Sequence, residues 1–260
     1  MSLVDAIPPN WRKLLKTQTF EKTCCNINEQ PHCHVSQTII RNVFMVSSRE
    51  LYWAMINQNA LQPSCIKAWN QRLDIDVEKS TWEMLFVLPF RCVQNITVKE
   101  MQLKILHRFY ASKSLIAKWD NETDEMCCLC KSDSANITHT FIGCTQLKIF
   151  WGEIENWLKE TLALYTAKLE VANMLFGIVP YTIGNHCINH CLMYCRYFIH
   201  LETIAKTIPN ISKFKKYYNH VLKTEREMYI VRNEKQMFDN LFKKINTLYL
   251  DDKMEQPNQI

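Results

Sequence analysis

Cys127-Cys128-Leu129-Cys130, followed by His139 and Cys144, decides how this chain is read. Taken as ligands, the run is Cys127-x2-Cys130-x8-His139-x4-Cys144, three thiols and one imidazole within eighteen residues. Tetrahedral Zn²⁺ takes such a donor set, at about 2.3 Å to sulfur and about 2.0–2.1 Å to nitrogen. Two intervening residues let Cys127 and Cys130 form a tight knuckle with both sulfurs toward one ion. Cys128 lacks that gap and is the spare. His139 and Cys144 fall where a loop becomes a helix, with Thr145 as N-cap and helical spacing over 146–158. Four protein ligands leave no position for water, so the ion is expected to be structural rather than catalytic. The plain alternative is a set of buried free cysteines, with His139 an ordinary loop residue.

Around the knuckle the composition favours helices. Four glycines and eight prolines in 260 residues leave little material for tight β-turns or phosphate-cradling loops. Hydrophobic content of 47% and charged content of 22% are those of a globular chain, long enough to bury a core. A net charge of +5 permits a nucleic-acid partner without requiring one. Twelve cysteines and sequons at Asn95, Asn121, Asn136 and Asn210 would suit a secreted protein. The first residues, however, have no basic segment followed by an apolar one. The chain is therefore expected to be intracellular, in the nucleus and/or cytoplasm, with its thiols reduced. The most apolar window, 187–205, is broken by His190, Arg196 and His200, so no membrane span is expected.

Apolar residues recur at helical spacing along most of the chain. After Pro8-Pro9 a short helix is expected at 11–16, then a polar loop at 17–37. That loop contains Cys24, Cys25, His32, Cys33 and His34, which lack consistent spacing and are read as chance ligands rather than a second metal site. Ser47 with Glu50 starts a helix striped by Leu51, Tyr52, Met55 and Ile56. Further helices are expected at 65–73, at 77–88 (ended by Pro89), from Thr97 with Glu100 as a capping box, at 185–203 and at 233–248, with a shorter turn at 114–119 and an uncertain connector at 169–178. Leu147, Phe150, Trp151, Ile154, Trp157, Leu158 and Leu162 form one apolar face. Cys187, Cys191 and Cys195 share a face of the 185–203 helix, where packing is the expected role, as it is for His186 and His190.

Two sets of basic residues suit a phosphate backbone. Lys104 and Arg108 lie four apart on the helix begun at Thr97. Lys213, Lys216, His220 and Lys223 lie opposite the apolar face of a helix capped by Asn210. A merely solvated face is the bland reading of both.

Quoted in order, the run Gln102-Leu103-Lys104-Ile105-Leu106-His107-Arg108-Phe109-Tyr110, the Cys127/Cys130 pair, His139-Thr140-Phe141-Ile142-Gly143-Cys144 and Phe150-Trp151 resembles a known pattern. It is similar to the zinc-binding region behind the reverse transcriptase domain of LINE-type (non-LTR) retrotransposons. Trp82, Leu88-Pro89 and Phe176-Gly177 extend the likeness, which covers about residues 66–180. The resemblance implies a module that helps a polymerase hold template RNA or target DNA, with Cys127, Cys130, His139 and Cys144 fixing its fold. Its partners would then be RNA and/or DNA, and the reverse transcriptase domain of the same element. Cys128 stands where that family often has proline, and no finger, palm or endonuclease run precedes the knuckle. Tyr249-Leu250-Asp251-Asp252 spells a polymerase metal motif, yet it trails a helix with no palm around it. No nucleophile triad stands out either, so this chain alone is not expected to be an enzyme.

The fold expected is mainly α, helical bundle segments organised around a small Cys-Cys-His-Cys zinc knuckle. Three regions are expected: an N-terminal helical and loop linker at 1–65, the zinc-binding domain at 66–165 and a C-terminal helical region at 166–260. The rival to nucleic-acid binding is a protein-interaction scaffold stapled by zinc.

Overall fold

With so few glycines in the sequence, the described residues are mostly helical. The computed structural model describes residues 32–34, 40–42, 62–75, 77–161 and 168–249, with side chains placed for 62–75, 77–161 and 168–243. Two compact units divide at Gln62 and Pro63. In the first, β1 (His32–His34) pairs antiparallel with β2 (Ile40–Asn42), His32 opposite Asn42. This corrects the expected loop at 17–37 over its described residues, 32–34, which are a strand. The expected helices at 11–16 and after Ser47 lie outside the described residues, as does Leu162.

The second unit is mainly α. Its helices are α1 (Ser64–Leu73), α2 (Lys79–Cys92), α3 (Ile96–Leu106), α4 (Lys113–Ile116), α5 (Leu147–Thr161), α6 (Val171–Phe176), α7 (Ile183–Ile204), α8 (Ile211–Val231) and α9 (Lys235–Tyr249). Asn95 caps α3, accepting from the N–H groups of Thr97 and Val98, two residues ahead of the expected capping box. Asn210 caps α8 in the same way, and Thr182 with Asn185 forms a capping box on α7. Pro89 was expected to end its helix, but α2 runs on to Cys92. Proline removes one N–H and crowds the preceding turn; here Leu88, Pro89 and Cys92 are all buried, and that packing carries the last turn past it.

α7 is the hub. Thirteen of its residues, His186 to Arg196 without a gap and then Phe198 and Ile199, are buried, because α2, α3, α8 and α9 all pack on it. The expected division at 165/166 is therefore not a division of the packing. Phe150 and Trp157 of α5 meet Phe198 of α7 and Phe214 and Tyr218 of α8 at ring separations of 5.9–6.1 Å. Trp69 and Trp82 both meet Phe176 edge-on, at 5.1 and 5.2 Å, which ties α1 and α2 to α6. Fully buried Arg196 donates to Gln102 Oε1 at 2.5 Å and to the Met174 carbonyl at 2.7 Å. Burial pushes its guanidinium down to about 9, so it stays protonated at neutral pH and joins α3, α6 and α7 through that charge.

Gly177 closes α6 with φ of 102°. A Cβ there would sit 2.6 Å from Leu88 Cδ2 and 2.9 Å from Asn189 Oδ1, and the Asn189 amide clasps both backbone groups of Ile178. Gly177→Ala therefore combines backbone strain with overpacking, and a loss of about 3 kcal/mol is expected as a lower urea midpoint at unchanged slope. A loss below about 0.5 kcal/mol, the level of an ordinary surface change, would mean that Leu88 and Asn189 yield freely.

Candidate metal centre

The knuckle is built by backbone bonds before any ion is considered. Met126 and Ser134 form an isolated antiparallel bridge, Cys127 N–H donates to the Asp133 carbonyl at 2.8 Å, and Lys131 N–H returns to the Cys127 carbonyl at 2.9 Å. Lys131 takes a left-handed conformation, φ 55°, to close the loop straight after Cys130. The other pair sits on one wide turn, His139–Gly143, in which Cys144 N–H reaches back five residues to the His139 carbonyl at 3.0 Å. Asn136 Oδ1 accepts from His139 N–H, so this sequon asparagine has a local structural task, as Asn95 and Asn210 do. α5 begins directly behind the turn, its first bonds going to the carbonyls of Cys144 and Thr145. Trp151 of α5 donates to the Phe141 carbonyl at 2.8 Å and pins the turn from below.

These elements bring the four predicted ligands to one point. Their ligand atoms all lie within 4.8 Å of one another. Cys127 Sγ is 3.8 Å from Cys144 Sγ, and Cys130 Sγ is 3.3 Å from His139 Nε2. A tetrahedron with bonds of about 2.3 Å to sulfur and about 2.1 Å to nitrogen has edges of about 3.8 Å and about 3.6 Å, so the spacing fits one four-coordinate ion. The other imidazole nitrogen, Nδ1, faces Asp133 Oδ2 at 3.9 Å, the side from which carboxylates orient ligand histidines. Cys127, His139 and Cys144 are buried, and Cys130 is half-buried.

The thiols are unequally prepared. Burial pushes Cys130 up, but the Ser132 hydroxyl, the backbone of Ser132 and Asp133, and His139 outweigh it and bring the thiol down to about 6. Burial, with the neighbouring Cys127 thiol adding to it, pushes Cys144 up to about 12. One thiolate is thus ready at neutral pH, and another is released only by the ion itself. Cys128 turns away, its Sγ 3.5 Å from the Thr203 carbonyl.

Among the described residues no second group of three metal ligands converges. Of Cys24, Cys25, His32, Cys33 and His34, only the backbone of the last three is described. Cys187, Cys191 and Cys195 are buried in the core, as expected of packing residues. The basic residues divide. Lys213, Lys216, His220 and Lys223 are all exposed on α8, with Lys213 Nζ 3.5 Å from Glu202 Oε2. Lys104 is exposed and pairs with Glu100 at 2.8 Å. Arg108 does not share its helix face, because α3 ends at Leu106 and Arg108 adopts φ 60°. Its guanidinium donates to the Ala68 carbonyl at 2.9 Å and lies over Trp69, 5.0 Å from the ring centre.

A buried polar cluster escaped the sequence reading. His190 of α7 meets Tyr218 Oη at 2.8 Å through Nδ1 and Glu225 Oε2 at 3.0 Å through Nε2, and Tyr194 donates to Glu225 Oε1 at 2.8 Å. The legible signal was Glu225 itself, an acid on the apolar face begun by Phe214, Tyr218 and Leu222. Tyr249 ends α9, and the rest of its Tyr-Leu-Asp-Asp run lies outside the described residues. No helix of the described residues is long and apolar enough to cross a membrane. No protein-family model matches the chain, and comparison with curated proteins finds no significant relative.

Proposed function

We propose that this chain is a zinc-stapled helical module that holds single-stranded RNA or DNA, acting by binding rather than catalysis. The observation that carries it is the closed Cys127, Cys130, His139, Cys144 set, converging at tetrahedral spacing between an upstream and a downstream helical half. Three thiols and an imidazole select Zn²⁺ over harder divalent ions, and with no open position the ion serves the fold. A chain this long and cysteine-rich needs no disulfide staples to hold its core, which supports an intracellular, reducing setting in the nucleus or cytoplasm. The order and spacing of the ligands, followed by Phe150-Trp151 at the head of α5, support kinship with the tail of LINE-type reverse transcriptases. On that reading the module works beside the polymerase domain of the same element, holding template or target strand.

The exposed row Lys213, Lys216, His220 and Lys223 supports phosphate contact. Binding is then expected to weaken steeply with salt, by about 0.7 log units per log of salt for each phosphate engaged on a single strand. Replacing Lys213, Lys216 and Lys223 together with Glu is expected to flatten that slope by about 2; an unchanged slope removes the row from the interface. A scaffold reading is favoured by the exposed apolar row Met84, Val87 and Phe90 on α2. Affinity for RNA and DNA no tighter than that of a charge-matched control protein would decide for the scaffold.

A further inference from the structure

On the knuckle's flank lies a groove of about 220 Å³ lined by Trp69, Arg72, Arg108, Ser112, Lys118 and Asn136, among others. Three cations and no acid line it. Arg108 is held there by the Ala68 carbonyl and the Trp69 ring, so its guanidinium is set in place in advance. Neither Arg72 nor Lys118 has an ion-pair partner among the described residues. Two acids are equally near along the chain: Asp74, two residues from Arg72, makes no ion pair among the described residues, and Asp120, two residues from Lys118, accepts from the Thr123 hydroxyl at 2.6 Å. Unbalanced positive charge gathered in a concavity with hydroxyl and amide side chains suits a phosphate group.

Two exposed aromatic residues follow these cations in the chain. Phe109, next to Arg108, is 75% exposed, and Trp119, next to Lys118, is 74% exposed. Large aromatic side chains left in water, each one residue from a cation that lines the groove, are of the kind unstacked bases use as platforms. We propose that the Arg72, Arg108 and Lys118 groove binds a phosphate of a single-stranded nucleic acid whose neighbouring bases stack on Phe109 and Trp119. This surface is separate from the α8 row and rests on the nucleic-acid reading only for the source of the phosphate.

The test uses the full chain with labelled oligouridine across a salt series. Arg72→Ala with Lys118→Ala is expected to lower affinity at least tenfold and to flatten the salt slope by about 1.4, two contacts at about 0.7 each. Arg108 is left intact because it braces Trp69. Trp119→Ala is expected to cost about tenfold at unchanged slope, since stacking carries no counterion. If the parent binds oligouridine and these variants bind equally well, the groove is overturned while the nucleic-acid reading stands. If the parent binds no oligonucleotide, calorimetry with inorganic phosphate separates the two ideas. Heat that disappears in the Arg72/Lys118 variant keeps the groove as a site for free phosphate, and no heat overturns it.

Discussion

On the proposed zinc reading, a strong chelator is expected to lower the melting temperature of this protein by about 10 °C. Structural zinc contributes about 10–16 kcal/mol to the folding of small fingers. Even a third of that, about 4 kcal/mol, shifts a domain of this size by about 8–16 °C. The loss is large here because the ion would tie the 127–130 knuckle to the 139–144 turn, which backbone bonds shape separately. Phe141 is buried between Tyr110, at a ring separation of 4.8 Å, and the Trp151 bond to its carbonyl. Release of the turn therefore uncovers core and not merely surface. His139→Ala and Cys144→Ser should each reproduce most of the shift, whereas Cys128→Ser should leave the melting curve where it is. Less than half an equivalent of zinc by elemental analysis, together with a curve that ignores the chelator, would overturn the metal-centred account.

Glu225→Ala should be nearly as damaging, at about 3–5 kcal/mol, without touching the ion. Its carboxylate is the shared acceptor for His190 and Tyr194, and His190 is fully buried. Removing the carboxylate strips the partner from His190 Nε2 and from the Tyr194 hydroxyl in a buried site, while His190 Nδ1 keeps Tyr218. Replacing both, as Glu225→Leu with His190→Leu, should recover part of the loss, which is the mark of coupling and not of lost volume. The pair also sets an acid limit. Burial raises the Glu225 carboxyl, but His190 and the Tyr194 hydroxyl outweigh it and hold the group below the usual carboxylate range. A group depressed in the folded state stabilises above its unfolded value, and that contribution fades as pH falls through the folded value. Urea midpoints measured from pH 7 downward should thus fall less steeply in Glu225→Gln than in the parent. Parallel curves would remove Glu225 from the acid limit.

Much of the helical architecture was legible because it depends on local periodicity. The stripe from Leu147 to Leu158 is buried as the spacing demands, and Asn210 caps α8 where expected. The ligand set was legible too, since the knuckle is local and its donors are unmistakable in type. What escaped was decided by contacts distant in sequence or by backbone geometry. Pro89 ends nothing, because burial of Cys92 outweighs the broken bond. Thr97 yields the cap to Asn95, two residues earlier and equally able to accept. Arg108 leaves its helix for a left-handed residue and a tryptophan that lies 39 positions back. His190 and Glu225, 35 residues apart, meet only because two helices pack, and no spacing rule links them.

The bonds that anchor α7 to the upstream helices join residues far apart in the chain. Tyr110 to His200 spans 90 positions, Gln102 to Met193 spans 91 and Gln102 to Arg196 spans 94. At translation rates of about 5–20 residues per second, roughly 5–20 s separate the emergence of α3 from that of α7, its partner distant in the chain. The four ligands leave the ribosome well before α7 does. The four candidate ligands can therefore be brought together while the surfaces of α2 and α3 that α7 will cover still stand open.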